Sequence, residues 1–112
     1  MTTLSDYTLF LDDEREPPSE MENVVIARDF WEFKRVIAAM GIPKYVSFDH
    51  DLGSMDSNGK DCAEFLIMRM IMERPSDIDD FQYYVHSQNP VGAENIRRFM
   101  DKYLEDIHNG IY

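Results

Sequence analysis

Apolar positions along the chain follow two rhythms. Three stretches repeat at three and four residues, the spacing of one helix face, and predict helices over residues 29–40, 61–74 and 90–108. In the first, Phe30, Phe33, Ile37 and Met40 share a face, Asp29 with Glu32 makes a capping box, and Gly41 followed by Pro43 ends the run. In the second, Ala63, Leu66, Ile67, Met70 and Ile71 line one side, Asp61 with Glu64 repeats the cap, and Pro75 stops it. The third opens on Pro90, suited to a first helical turn, carries Ile96, Phe99, Met100, Tyr103 and Ile107 on one side, and closes at Gly110. Four shorter apolar and aromatic runs, residues 7–11, 23–27, 44–48 and 81–85, predict strands.

Strand and helix alternate from Asn23 onward, the pattern of an α/β domain with an open, mostly parallel sheet covered by helices. The link between the first two strands departs from it. Residues 12–22, with Pro17 and Pro18, leave room for one helical turn at most, so the first crossover is cut down. The second helix carries a further stripe, Phe65, Met68 and Met72, nearly opposite the first. That stripe is available to a neighbouring helix of the same domain or to a second chain in a homodimer through residues 61–74.

Composition adds a few bounds. The 112 residues make one domain, 1–112, and a 44% apolar content without repeats or low-complexity stretches suits a folded globule. No window approaches the roughly 18 apolar residues of a membrane span, and the first residues lack the basic and apolar regions of a signal peptide. A cytoplasmic protein with no membrane partner is expected. Cys62, the single cysteine, has no internal partner for a disulfide and reads as a small buried apolar side chain.

Charge narrows the ligands. Twenty-two acidic residues against 11 basic give a net charge of −11, a field that repels polyanions and excludes wrapping of bulk duplex nucleic acid. A small phosphate-containing ligand or an RNA terminus remains, provided a cation or a group of donors offsets the field. Most of the charge reads as a solvated surface.

The candidate chemistry sits just after the predicted strands: Asp12 and Asp13 after the first, Asp49, His50 and Asp51 after the third, His86 and Ser87 after the fourth. Open α/β sheets bind ligands outside the carboxyl ends of their strands, where strand order reverses. With spatial order 2-1-3-4 that crevice lies between strands one and three, and the two acidic clusters face each other across it. Crowded carboxylates call for a counterion. Oxygen ligands from Asp12, Asp13, Asp49 and Asp51 suit Mg²⁺ or Mn²⁺, and the histidines would tilt the preference toward softer metals. Any one of these aspartates, taken alone, reads equally well as a cap or turn residue.

His50 and His86, with Asp49, are candidates for acid and base catalysis, because imidazole is the side chain whose ordinary titration lies nearest neutral pH. The alternative is a histidine that orients a neighbouring carboxylate. His108, at the last turn of a helix, is a partner of the helix dipole and stands outside the site. Ser87, Asn89 and Gly92 lead into the third helix, whose first N–H groups offer a place for phosphate. Arg15 either reaches the same anion or pairs with Glu14 or Glu16 at the surface. Gly53 and Gly59 bracket a polar loop that could close over a ligand, although a plain turn is the simpler reading of each.

Three blocks in order, residues 10–17 (FLDDEREP), 46–53 (VSFDHDLG) and 85–92 (VHSQNPVG), resemble the cyclic-phosphate-processing receiver-like family, a divergent relative of the receiver domains of two-component signalling. The resemblance spans almost the whole chain. It implies a small receiver-like (flavodoxin-like) α/β fold with an open parallel sheet; read together with this chain's own pattern, that means about four strands in order 2-1-3-4, three main helices, a truncated first crossover and, as a departure from ordinary receivers, no fifth strand expected. By that likeness Asp12 and Asp13 look like the acidic metal-binding pair, Asp49 like the phosphoacceptor position and Ser87 like the hydroxyl residue after the fourth strand. The lysine at the tip of a receiver's fifth strand has no counterpart, which disfavours ordinary phosphorelay, whereas His50 and His86 resemble the family's own departure from receivers. Family members occur in phage and bacterial systems, and the resemblance implies a metal-dependent phosphoesterase acting on a cyclic nucleotide or a 2′,3′-cyclic phosphate RNA end. The rival readings are a noncatalytic binder of a phosphorylated nucleotide and a degenerate receiver acting as an interaction module.

Overall fold

A computed structural model describes residues 2–53 and 57–112. In chain order the elements are β1 (Ser5–Leu11), β2 (Val24–Ala27), α1 (Phe30–Met40), β3 (Pro43–Phe48), α2 (Gly59–Glu73), a 3₁₀ turn (Ile78–Asp80), β4 (Gln82–Val85) and α3 (Pro90–His108). The four strands form one parallel sheet in the order β2-β1-β3-β4. This is the open parallel α/β sheet that the alternating pattern predicts and the receiver-like architecture that the resemblance implies, with no helix between β1 and β2. No helix among the described residues is long and apolar enough to cross a membrane.

The strand order decides where the helices go. From β2 to β3 and from β3 to β4 the chain steps across the sheet in the same direction, so right-handed crossovers put α1 and α2 on one face. α3 packs beside α2 on that face. Leu9, Leu11, Val46, Phe48 and Val85 point into this layer and form the core with Phe33, Ile37, Leu66, Met70, Ile96 and Met100. Among the described residues, the opposite face, carrying Thr8, Phe10, Tyr45, Ser47 and Tyr84, is crossed by the short β1–β2 segment, of which Arg15, Glu16, Pro18 and Met21 lie against it.

Local signals account for the helix ends, with two corrections. Asp29 caps α1 by accepting the N–H of Glu32, whose own carboxylate accepts the N–H of Arg28. Met40, expected on the buried face of α1, is instead exposed at its last turn. α2 starts two residues earlier than residue 61. Asn58 is its cap, accepting from the N–H groups of Lys60 and Asp61, and the Asp61 carboxylate returns the bond to the Asn58 N–H. Asp61 is therefore the reciprocal partner of a capping box and not the cap itself, and Glu64 pairs with Lys60 at 3.0 Å. The early start follows from Gly59, whose backbone is pressed so close to Asp49 that an added Cβ would lie 1.9 Å from the Asp49 carbonyl oxygen. The polar loop between Gly53 and Gly59 lies partly outside the described residues, which omit 54–56.

Candidate active site at the strand ends

Three residues stand in one row just past the sheet: Asp12 after β1, Asp49 after β3 and His86 after β4. Each extends the ladder by one bond, donating its backbone N–H to Ala27, Leu11 and Phe48 respectively at 2.9–3.1 Å. Each also lies two residues beyond a side chain of the helix-free face, Phe10, Ser47 and Tyr84. Strand alternation therefore turns all three to that same face. One donor atom from each of Asp12, Asp49 and His86 comes within 4.8 Å of the others.

His86 is held on three sides. Its ring stacks flat on Phe10, with centroids 4.7 Å apart and planes 2° from parallel. Nε2 lies 2.9 Å from Asp12 Oδ2, and Nδ1 lies 2.7 Å from the Ser47 hydroxyl. Because an ionised Asp12 can only accept, Nε2 carries a proton, and Nδ1 accepts from Ser47 when the ring is neutral. The hydroxyl can turn to accept when the ring is charged, so Ser47 serves both states.

The two carboxylates differ. Burial pushes Asp12 up, but the N–H groups of Arg15 and Glu14 together with His86 outweigh it and hold the carboxyl below its ordinary value. Asp49 has the opposite balance: burial first and the Asp12 charge second raise it, against a partial counterweight from His86 and the His50 and Asp51 backbone. The two carboxyls are thus set apart by their surroundings, Asp12 by the N–H groups and imidazole that favour its charge and Asp49 by burial and the neighbouring Asp12 charge.

The other sequence candidates surround this row. Asp13 and Asp51 are exposed and line an open cleft of about 300 Å³ with Glu14, Arg15, Asp49, Gly53 and Gln88. His50 turns Nδ1 to Asp51 at 2.9 Å, and its Nε2 meets no hydrogen-bond partner among the described residues. Arg15 places Nε 3.9 Å from Asp12 Oδ2 and donates from Nη1 to the His86 carbonyl at 3.3 Å. Ser87 accepts the Asn89 N–H, and Asn89 caps α3 by accepting from the Gly92 N–H while its amide reaches Asp51 at 3.4 Å. The Gly92 N–H is thereby spent on the cap. Its missing Cβ makes room for the His50 ring, which an added methyl would meet at 2.3 Å. His108 stands apart, bonded to Asp79 at 2.7 Å.

Three contributors are absent from the sequence reading. Ser47 is a buried hydroxyl in the middle of a strand, and that polar interruption of an apolar run was its signal. Phe10 is the stacking floor. Arg28 follows β2 directly, so the strand-end rule applied to all four strands points to it. Its guanidinium binds the carbonyls of Asp12 and Arg15 and the Glu16 carboxylate, which fixes the segment beneath Arg15.

No curated protein and no solved structure matches the chain. The family described as the cyclic-phosphate processing receiver domain matches residues 7–102, which include every residue of the row and its surroundings. With that match laid over a four-stranded sheet in receiver order, the chain belongs to the cyclic-phosphate processing receiver domains.

Proposed function

We propose that the domain is a metal-dependent phosphoesterase that opens a cyclic phosphate, either of a cyclic nucleotide or of a 2′,3′-cyclic RNA end. The observation that carries this reading is the convergence of Asp12, Asp49 and His86, with an imidazole bonded at both nitrogens to groups that can follow its protonation. Asp12 and Asp49 are the residues to hold a divalent cation: their oxygens suit a hard ion, and a cation would offset both the burial of the Asp49 charge and the neighbouring Asp12 charge that raise it. Bound there, it would supply Lewis-acid polarisation of the phosphoryl oxygens. Asp13 and Asp51, exposed on the rim, are further oxygen donors toward the same cleft.

The chain's own residues do the rest. Arg15 binds a phosphate oxygen at the mouth of the site. His86 exchanges a proton at Nε2, the nitrogen turned toward the carboxylates, while Ser47 keeps the ring oriented. His50, backed by Asp51, is the second proton carrier. Water forms a new bond to phosphorus, one ring P–O bond breaks, and the proton lost by the water balances the one taken up by the departing alkoxide.

Phosphorus NMR of a panel of cyclic phosphates, incubated with the protein and Mg²⁺ or Mn²⁺, tests this directly. Conversion to a monoester, lost in His86→Ala, is the expected result. A cyclic phosphate that binds and is not consumed favours the noncatalytic binder, a reading that gains support from the engagement of both His86 nitrogens within the protein. Neither conversion nor binding overturns both.

A further inference from the structure

We infer that the helix-free face of the sheet is a nucleobase platform, so that this site takes cyclic phosphates attached to a nucleoside in preference to simple cyclic phosphodiesters. The inference rests on the reading of the Asp12, Asp49 and His86 row as the phosphate site. A cleft of about 250 Å³ opens on that face, with Phe10, Tyr45, Tyr84, Pro18 and Met21 as its apolar walls. Its upper end is shared with the site, because His86, Ser47 and Arg15 line it too.

The sheet register gives the spacing. Tyr84 lies two residues before His86 on β4, about 6.6 Å along the strand at the usual rise. Ser47 of β3 pairs with Tyr84, and Tyr45 stands two residues further down the same face. A phosphate at the strand tips and a planar ring over the tyrosines are thus separated by the length of one ribose. Tyr84 is 58% exposed, so the face of its ring is open to a flat ligand. Tyr45 and Tyr84 stand on adjacent strands of this face and line the same cleft. Base stacking on aromatic side chains tolerates any base, and the cleft is too small for a helix or strand of another protein.

The test compares adenosine 2′,3′-cyclic phosphate with glycerol 1,2-cyclic phosphate, which has the ring phosphate and no base. Surface plasmon resonance on the immobilised full chain, where flow replenishes any ligand that is turned over, gives both affinities. The nucleotide should bind roughly tenfold or more tightly than the glycerol compound, a gain of the size that one stacked base supplies. Tyr84→Ala should remove the difference and Tyr84→Phe should keep it. Equal affinities, a difference that survives Tyr84→Ala, or no nucleotide binding at millimolar concentration each overturn the inference. So does a change of molecular mass in Tyr84→Ala, which would mark the face as a protein interface. Hydrolysis of both compounds without preference sinks the platform and spares the phosphoesterase. Base-dependent binding without hydrolysis does the reverse.

Discussion

His86 Nε2 and Asp12 Oδ2 meet at 2.9 Å although 74 residues separate them in the chain. The contact is made by two strands that are not neighbours, since β3 lies between β1 and β4. Ser47, on that intervening strand, therefore meets the edge of the ring, and its hydroxyl takes the nitrogen that Asp12 does not. A serine here lets β1, β3 and β4 share one hydrogen-bonded unit. A larger side chain would lift the imidazole away from Phe10.

That arrangement separates chemistry from orientation. His86→Ala should lower turnover by about 10²-fold or more, the usual worth of a positioned acid or base, with ligand affinity largely kept. Ser47→Ala should lower kcat less and leave KM unchanged, because the ring loses the hydroxyl that orients it. His50→Ala should also cost about 10²-fold. Gly92→Ala, which pushes the His50 ring from its seat, should reproduce part of that loss. Full activity in both His50→Ala and Gly92→Ala would remove His50 from the mechanism.

Gly59 offers a check on how the site backbone is fixed. In an open helix, glycine to alanine gains up to about 1 kcal/mol. Here the methyl would meet the Asp49 carbonyl oxygen at 1.9 Å, and overpacking against backbone costs about 1–3 kcal/mol, so the clash wins. Gly59→Ala should lower the midpoint of urea unfolding and displace Asp49. Unchanged stability would mean that α2 does not bear on the site.

Much of this was legible beforehand, for identifiable reasons. Helix spacing and strand alternation are local, and the rule that ligands gather at strand carboxyl ends turned four short runs into Asp12, Asp49 and His86. What escaped depends on contacts between segments. Asn58 and Asp61 are both good caps three residues apart, and only the approach of Gly59 to Asp49 decides between them. Ser47 is a neutral strand residue until His86 arrives from β4. The bond from the Gly92 N–H to the Asn89 side chain, which closes the first turn of α3, is likewise a contact that the sequence reading of these two residues did not include. The bare sheet face follows from crossover handedness, but its significance depends on Tyr45 and Tyr84 falling beside His86 in register.

The second stripe of α2 now divides. Phe65 meets Phe30 edge-on in the same chain, at 6.5 Å, while Met68 and Met72 are 45% and 71% exposed. A homodimer through α2 would use the two methionines, and Phe65→Glu would damage the fold before it separated chains. Light scattering at micromolar concentration should give about twice the 13.2 kDa chain mass, falling to one chain in Met68→Lys with Met72→Lys while the circular dichroism stays unchanged. A wild-type mass of one chain at every concentration disposes of the dimer.

Asp12 and Asp49 should respond oppositely to the same substitution. Asp49 is raised by burial and by Asp12, so the folded state holds its proton more tightly than the unfolded chain does. Its contribution to stability is greatest below the ordinary carboxylate pKa, about 3.9, and falls as pH rises through the raised folded value. Asp12 is lowered in the folded state because the Arg15 and Glu14 N–H groups and His86 outweigh its burial, so its contribution is present above the ordinary value and is lost as pH falls through the folded one. At neutral pH in a chelator, Asp49→Asn should therefore be more stable to urea than wild type. Asp12→Asn should be less stable by about 1–3 kcal/mol, the worth of hydrogen bonds to a charged group. A divalent cation that binds the folded state alone should raise the wild-type Tm, by the equivalent of about 2.7 kcal/mol at a hundred times its Kd. Both variants should lose that rise. A metal shift kept in full by both would move the cation elsewhere, and an Asp49→Asn less stable than wild type at neutral pH would mean that burial and the Asp12 charge do not penalise the Asp49 carboxylate in the folded state.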